Sequence, residues 1–134
     1  MSCIDAKVNI RIIEGGTFDK EFLWESGDPA VAVNLTGYSA KFAIREKLTD
    51  TTALVEGEEV SDPWETDGDT GIYFDVVTTG KFMLYLNDED VQSLCARHAD
   101  TTGVYDIFLY SPGGEAVLKI YGTCKIPAAV TRWA

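Results

Sequence analysis

Apolar and polar residues alternate along most of this chain, most clearly in two segments. Between residues 38 and 45, Tyr38, Ala40, Phe42 and Ile44 fall on one face and Ser39, Lys41 and Arg45 on the other. This is the period-two signature of a half-buried strand. Between residues 104 and 110, Tyr105, Ile107 and Leu109 alternate with Val104, Asp106, Phe108 and Tyr110, so the second face is also mostly apolar. Strands of that kind lie where a sheet is covered on both sides, or where its outer face meets a partner.

The same reading extends over the rest of the chain. Val8, Ile10 and Ile12 alternate with Asn9 and Arg11 and predict a first strand over 8–13, closed by the Glu14-Gly15-Gly16-Thr17 turn. Residues 18–25 predict a second strand, and Ser26-Gly27-Asp28-Pro29 is turn chemistry. A strong strand follows over 38–48. Ala53-Leu54-Val55 adds a short one, and 56–69 reads as a long acidic loop, which in a small domain is functional or mobile. Residues 71–77 and 82–86, with Thr78-Thr79-Gly80-Lys81 between them, predict a hairpin. The one helix is expected over 87–95. Asn87 or Asp88 caps it, acids fill its first turn, and Val91, Leu94 and Cys95 share a face. Strands over 104–110 and 115–125 are joined by Ser111-Pro112-Gly113-Gly114, and 126–133 suggests an edge strand around Pro127. Some eight short strands with one helical turn between late strands predict an antiparallel sandwich.

Length and composition narrow the function. A chain of 134 residues supports one hydrophobic core, hence a single domain over 1–134. The apolar runs are too short for a membrane span, and the first residues lack the basic and apolar regions of a secretory leader, so a cytosolic product is expected. Twenty-two acids against eleven bases, a net charge of −11, disfavour nucleic acid and suit a solvated surface or a basic partner. Three cysteines, Cys3, Cys95 and Cys124, without a paired spacing, read as reduced thiols, with Cys124 a small buried hydrophobe.

The order of the pieces carries a resemblance. A strand runs into Glu14-Gly15-Gly16-Thr17, and the next ends at Trp24. Val33-Asn34-Leu35-Thr36-Gly37-Tyr38 opens the alternating strand to Ile44-Arg45. Then come Gly71-Ile72, a short helix before Gly103-Val104-Tyr105-Asp106-Ile107, and Gly122 ahead of Val130-Thr131-Arg132. Over roughly 10–132 this resembles small virion proteins of tailed bacteriophages and prophages. It is similar in particular to the N-terminal domain of upper baseplate proteins, which in that family fixes a receptor-binding or fibre part to the tail. No coiled-coil or fibre-shaft pattern is expected within 1–134, and the 56–69 loop matches no element of that family. The resemblance implies a non-enzymatic structural protein of the virion, assembled in the host bacterial cytoplasm. Its position would be an adaptor at the tail, baseplate or neck, or a decoration on the capsid. The expected fold is all-β, an antiparallel immunoglobulin-like β-sandwich with one short helix. The expected partners are other virion proteins in a symmetric assembly or homo-oligomer, without nucleic acid, membrane or cofactor. The preferred contact residues are Trp64 in the acidic loop and Val130, Arg132 and Trp133 in the terminal segment.

Chemistry-bearing constellations are thin. Cys95 and His98 have metal-compatible spacing, but zinc wants about four ligands, and Cys3 and Cys124 would have to converge unaided. Asp67-Gly68-Asp69-Thr70-Gly71 fails the EF-hand pattern, with glycine fifth and Thr78 twelfth. A calcium cage from Asp62, Glu65, Asp67 and Asp69 is the alternative to a plain solvated loop. Acids are too numerous for a glycosidase pair to be singled out, and His98, the sole histidine, has no nucleophile elbow to serve. A carbohydrate-binding module, using exposed aromatics such as Trp24, Trp64, Tyr110 and Trp133, is the reading from a different class.

Overall fold

The computed structural model describes residues 4–12, 17–27, 29–47, 49, 52–60, 70–74, 77–98 and 101–126. Eleven strands and one α-helix run through them in the order β1 (Ile4–Lys7), β2 (Ile10–Arg11), β3 (Phe18–Leu23), β4 (Glu25–Ser26), β5 (Val31–Ala32), β6 (Ser39–Arg45), β7 (Val55–Glu58), β8 (Gly71–Tyr73), β9 (Lys81–Leu86), α1 (Asp88–His98), β10 (Thr101–Tyr110) and β11 (Ala116–Ile126). The large sheet has the order β1-β11-β10-β6-β7, with β2 also on β11; a smaller sheet has the order β3-β9-β8, and β4 and β5 form a two-stranded ribbon.

The central pair of the large sheet follows from its alternation. β10 and β11 form a long hairpin whose register sets Tyr105 opposite Gly122, Ile107 opposite Ile120 and Leu109 opposite Leu118. β6 flanks β10 on the other side, with Ile44, Phe42 and Ala40 opposite the same three β10 residues. All of these except Gly122 belong to one buried apolar cluster, together with Phe22, Ile72, Phe82, Leu84 and Leu86 of the smaller sheet. Two sheets thus share a core, as the strand periodicity requires. Within it the Phe22 and Phe82 rings stack at 5.4 Å. Full burial of a side chain such as Ile107 or Leu109, both 0 % exposed, stabilises by about 1.5–3 kcal/mol.

Not every pairing is antiparallel. The expected first strand over 8–13 is instead two short pieces, β1 and β2, both running parallel to β11. The break falls at Val8 and Asn9, and three bonds bridge it. Val8 N–H donates to the Tyr121 carbonyl at 2.8 Å, Thr123 N–H donates to Asn9 Oδ1 at 3.1 Å, and the Tyr105 hydroxyl donates to the Val8 carbonyl. Gly122 makes room for this, because a Cβ there would collide with the Val8 carbonyl. The acidic loop also begins later than expected: Glu56 and Glu58 lie in β7, an edge strand paired with β6.

Other expected elements are present with narrower bounds: the strand expected over 71–77 is β8 alone, followed by a 3-10 turn at Val77–Thr79, the one over 18–25 stops as β3 at Leu23, and the one over 38–48 stops as β6 at Arg45. β8 and β9 pair antiparallel. Asn87 caps α1, its Oδ1 accepting from Asp90 N–H at 2.9 Å, and Val91, Leu94 and Cys95 are buried on one face. The Asn34-Leu35-Thr36-Gly37 turn is an Asx turn in which Asn34 Oδ1 accepts from Thr36 N–H at 3.0 Å, and Gly37 takes φ 80°. The expected edge strand over 126–133 lies outside the described residues beyond Ile126, which ends β11.

Candidate interaction face

The site-bearing surface is the side of the large sheet turned away from the core. Its residues are those that alternate with the buried ones, so the register fixes them. Along one row across the sheet stand Lys7, Tyr121, Asp106, Ala43 and Glu56; along the next stand Asp5, Lys119, Phe108, Lys41 and Glu58. Val104 lies between Arg45 and Thr123 on one side, Tyr110 is opposite Ser39 on the other, and Arg11 and Lys125 pair at the far end.

Ala43 gives this face its relief. A methyl group among long side chains leaves two adjoining hollows, one of about 590 Å³ reaching Lys41, Glu56, Glu58 and Phe108, the other of about 350 Å³ reaching Lys7, Val104, Lys119 and Tyr121. Ala43, Arg45 and Asp106 line both. Asp106 is half-buried at their junction. Desolvation pushes its carboxyl above the usual carboxylate range, and the Arg45 guanidinium and Lys119 ammonium pull it part of the way back. Lys119 Nζ sits 5.7 Å from the Phe108 ring centre and 5.5 Å from that of Tyr121, a cation held by two aromatic faces. Phe108 and Tyr110 lie ring to ring at 6.3 Å. The exposed Lys41–Glu58 pair at 4.0 Å contributes little to stability. Broad, shallow, aromatic and charged, this surface suits contact with another macromolecule.

The residues singled out from sequence fall elsewhere. Trp64, Val130, Arg132 and Trp133, the expected contacts, and Asp62, Glu65, Asp67 and Asp69, the candidate calcium cage, all lie outside the described residues, as do Cys3 and the His98 side chain. Among the described residues no group of three or more His, Cys, Asp or Glu is placed to hold a metal ion. Cys95 and Cys124 are reduced cysteines buried in the core. Burial, reinforced by Cys95, pushes the Cys124 thiol up to about 12, which makes it a packing residue and a poor nucleophile. Trp24 is half-buried, set edge-on to Tyr38 at 6.2 Å. The outer face was legible in one respect: the second apolar face of β10 marked it. What sequence alone missed was that Lys41 and Arg45 of β6 and Lys119 of β11 would flank it.

Fold and face together define a β-sheet protein whose distinctive surface is an aromatic and charged sheet face. Compared with known proteins, the chain matches no family model and no curated protein. Among the described residues no helix is long and apolar enough to cross a membrane.

Proposed function

We propose that this chain is a non-enzymatic structural subunit of a tailed-bacteriophage virion, an adaptor at the tail, baseplate or neck that holds fibre or receptor-binding parts through protein–protein contacts. The observation that carries the contact role is the outer face of the large sheet. Phe108, Tyr121 and Arg45 there are of the types enriched in protein interfaces, and they surround hollows that are broad and shallow. The virion setting rests on the resemblance in strand order and turn motifs to baseplate N-terminal domains. An immunoglobulin-like sandwich belongs to the same proposal. The order β1-β11-β10-β6-β7 facing β3-β9-β8, with a short helix leading into β10, supports it, since such folds set an edge-extended G-F-C sheet against a B-E-D sheet.

Gold-tagged antibody against the protein, applied to intact particles, tests the setting. Label at the tail tip or neck supports the adaptor, and label spread over the head makes the chain a capsid decoration. Purified particles without the protein overturn the virion reading. One observation favours a second reading, a carbohydrate-binding module: Phe108, Tyr110 and Tyr121 expose rings on one sheet face beside Asp106 and Arg45, a combination able to stack on and hydrogen-bond sugars. Calorimetric titration with host surface glycans separates the two, because heat of binding lost in a Phe108→Ala variant supports only the second.

A further inference from the structure

The charges of the outer sheet face are balanced in number but sorted in place. Glu56 and Glu58, on the edge strand β7, line the larger hollow. Lys7 of β1 and Lys119 of β11 line the smaller one, and Arg45 and Asp106 stand between them, lining both. The smaller hollow, of about 350 Å³, is therefore walled by three bases and a single acid. Its volume lies near the lower end of the range for small-ligand pockets, about 300–1,000 Å³, which suits one ring-sized unit.

Strand register gives each wall its chemistry. Val104 stands between Arg45 and Thr123, and Asp106 between Ala43 and Tyr121. One row thus offers a guanidinium, an apolar contact and a hydroxyl. The next offers a methyl floor, a carboxylate and an exposed phenol ring. Lys7 is level with Tyr121, and Lys119 Nζ lies 5.5 Å from the centre of that ring. Arg45, Lys119 and Asp106 are each half-buried, and in such a partly dry setting charge-assisted hydrogen bonds are stronger than in open water.

These walls narrow the ligand by its charge. A polyanion, such as an acidic peptide, meets Asp106 inside the hollow and Glu56 and Glu58 beside it, on a molecule of net charge −11. A wholly apolar ligand desolvates the three bases and returns nothing to them. A ring bearing one carboxylate and several hydroxyls suits both kinds of group. Its carboxylate meets the bases, its hydroxyls donate to Asp106, and its C–H face packs on Tyr121 and Val104.

We propose that the smaller hollow binds a saccharide unit carrying a carboxylate, a sugar of the uronic-acid class. The inference rests on the saccharide reading of this face, names its ligand class, and is independent of the virion setting. Arg45 and Lys119 take the carboxylate, Lys7 closes the open side, and Asp106 orients the ring through its hydroxyls.

Amide chemical shifts of the isotope-labelled intact chain, titrated with saccharides, test this. The probes are oligomers of glucuronate and galacturonate, with glucose and galactose oligomers as neutral counterparts that differ at the carboxylate. The acidic oligomers are expected to shift amides over 43–45, 104–106 and 119–123, and to bind roughly tenfold or more tightly than the neutral ones. High salt should weaken the acidic oligomers and spare the neutral ones. Lys7→Gln with Lys119→Gln should abolish the preference while the spectrum keeps its folded dispersion, and Tyr121→Ala should weaken both classes of saccharide. Neutral oligomers that bind as tightly at the same amides overturn the carboxylate assignment and leave the saccharide reading standing. No shift with either class overturns both. A double variant that is folded and keeps the preference overturns the assignment to this hollow. An oligoglutamate peptide that shifts the same amides as strongly as the uronates overturns the sugar class in favour of an acidic protein partner.

Discussion

Tyr105 does two things at once. Its ring fills the core between Ile44 and Gly122, and its hydroxyl crosses to the Val8 carbonyl at the break between β1 and β2. Burial, with Cys124 nearby, holds the phenol far above its usual range, so it remains a donor at every accessible pH. Tyr105→Phe leaves that carbonyl without its donor and is expected to cost about 1–3 kcal/mol, read as a lower midpoint in urea unfolding. Hydrogen exchange should rise in 4–12 before it rises in β10. Asp106, on the other face of the same strand, works against stability when ionised. Its folded-state carboxyl titrates above the unfolded value of about 3.9, because burial outweighs Arg45 and Lys119. Its favourable contribution is therefore complete below the unfolded pKa and is lost as pH rises through the folded one. Asp106→Asn should be more stable than the wild type at neutral pH, with the difference shrinking to nothing as the pH is lowered towards 3. Thermal midpoints across that range check it, and a variant less stable than the wild type at neutral pH contradicts it. None of this could be read from the residues alone. The β1–β2 break depends on Tyr105 and Gly122, roughly a hundred positions away in sequence, and strand periodicity carries no information on such a partner.

At the scale of elements, legibility tracked how local the cause was. The start of α1 was plain because its cap is local chemistry. Asn87 Oδ1 accepts from Asp90 N–H, while Asn87 N–H donates to Thr70 Oγ1 at 2.9 Å, and the Thr70 hydroxyl in turn donates to the Asp90 carboxylate. Asn87→Ala removes the acceptor and should cost about 1 kcal/mol. Circular dichroism should show the native strand content retained and a lower thermal midpoint; an unchanged midpoint would rule the cap out as a stabilising element. β7 was legible only at its start. Ala53-Leu54-Val55 predicts a short strand, whereas Glu56-Gly57-Glu58 has weak strand propensity and reads as loop, yet it pairs with β6 because Gly57 lets the Phe42 ring lie against its backbone, where a Cβ would approach Phe42 Cε1 to 2.8 Å. The strands with two-sided alternation, β6, β10 and β11, needed no such help, since the period alone separates their faces.

For the whole molecule, the charge balance of the sequence spoke only of an acidic, well-solvated chain. The register of five strands gathers Phe108 and Tyr121 onto one sheet face with four bases, Lys7, Lys41, Arg45 and Lys119, and four acids, Asp5, Glu56, Glu58 and Asp106. Sequence pointed to Trp64 and the terminal segment as contacts, whereas the described surface with interface chemistry is centred on Phe108, Asp106 and Lys119. Pairing across strands creates such a site, and no single segment contains it. The most direct test of the proposed role is the amount of a Phe108→Glu protein found in purified phage particles, measured against wild type by quantitative mass spectrometry. Phe108 lies outside the core, between Lys41 and Lys119, so the variant should keep a wild-type thermal midpoint. We expect it to be folded in the lysate and strongly depleted from the particles; incorporation equal to wild type would contradict the assignment of this face as the assembly surface.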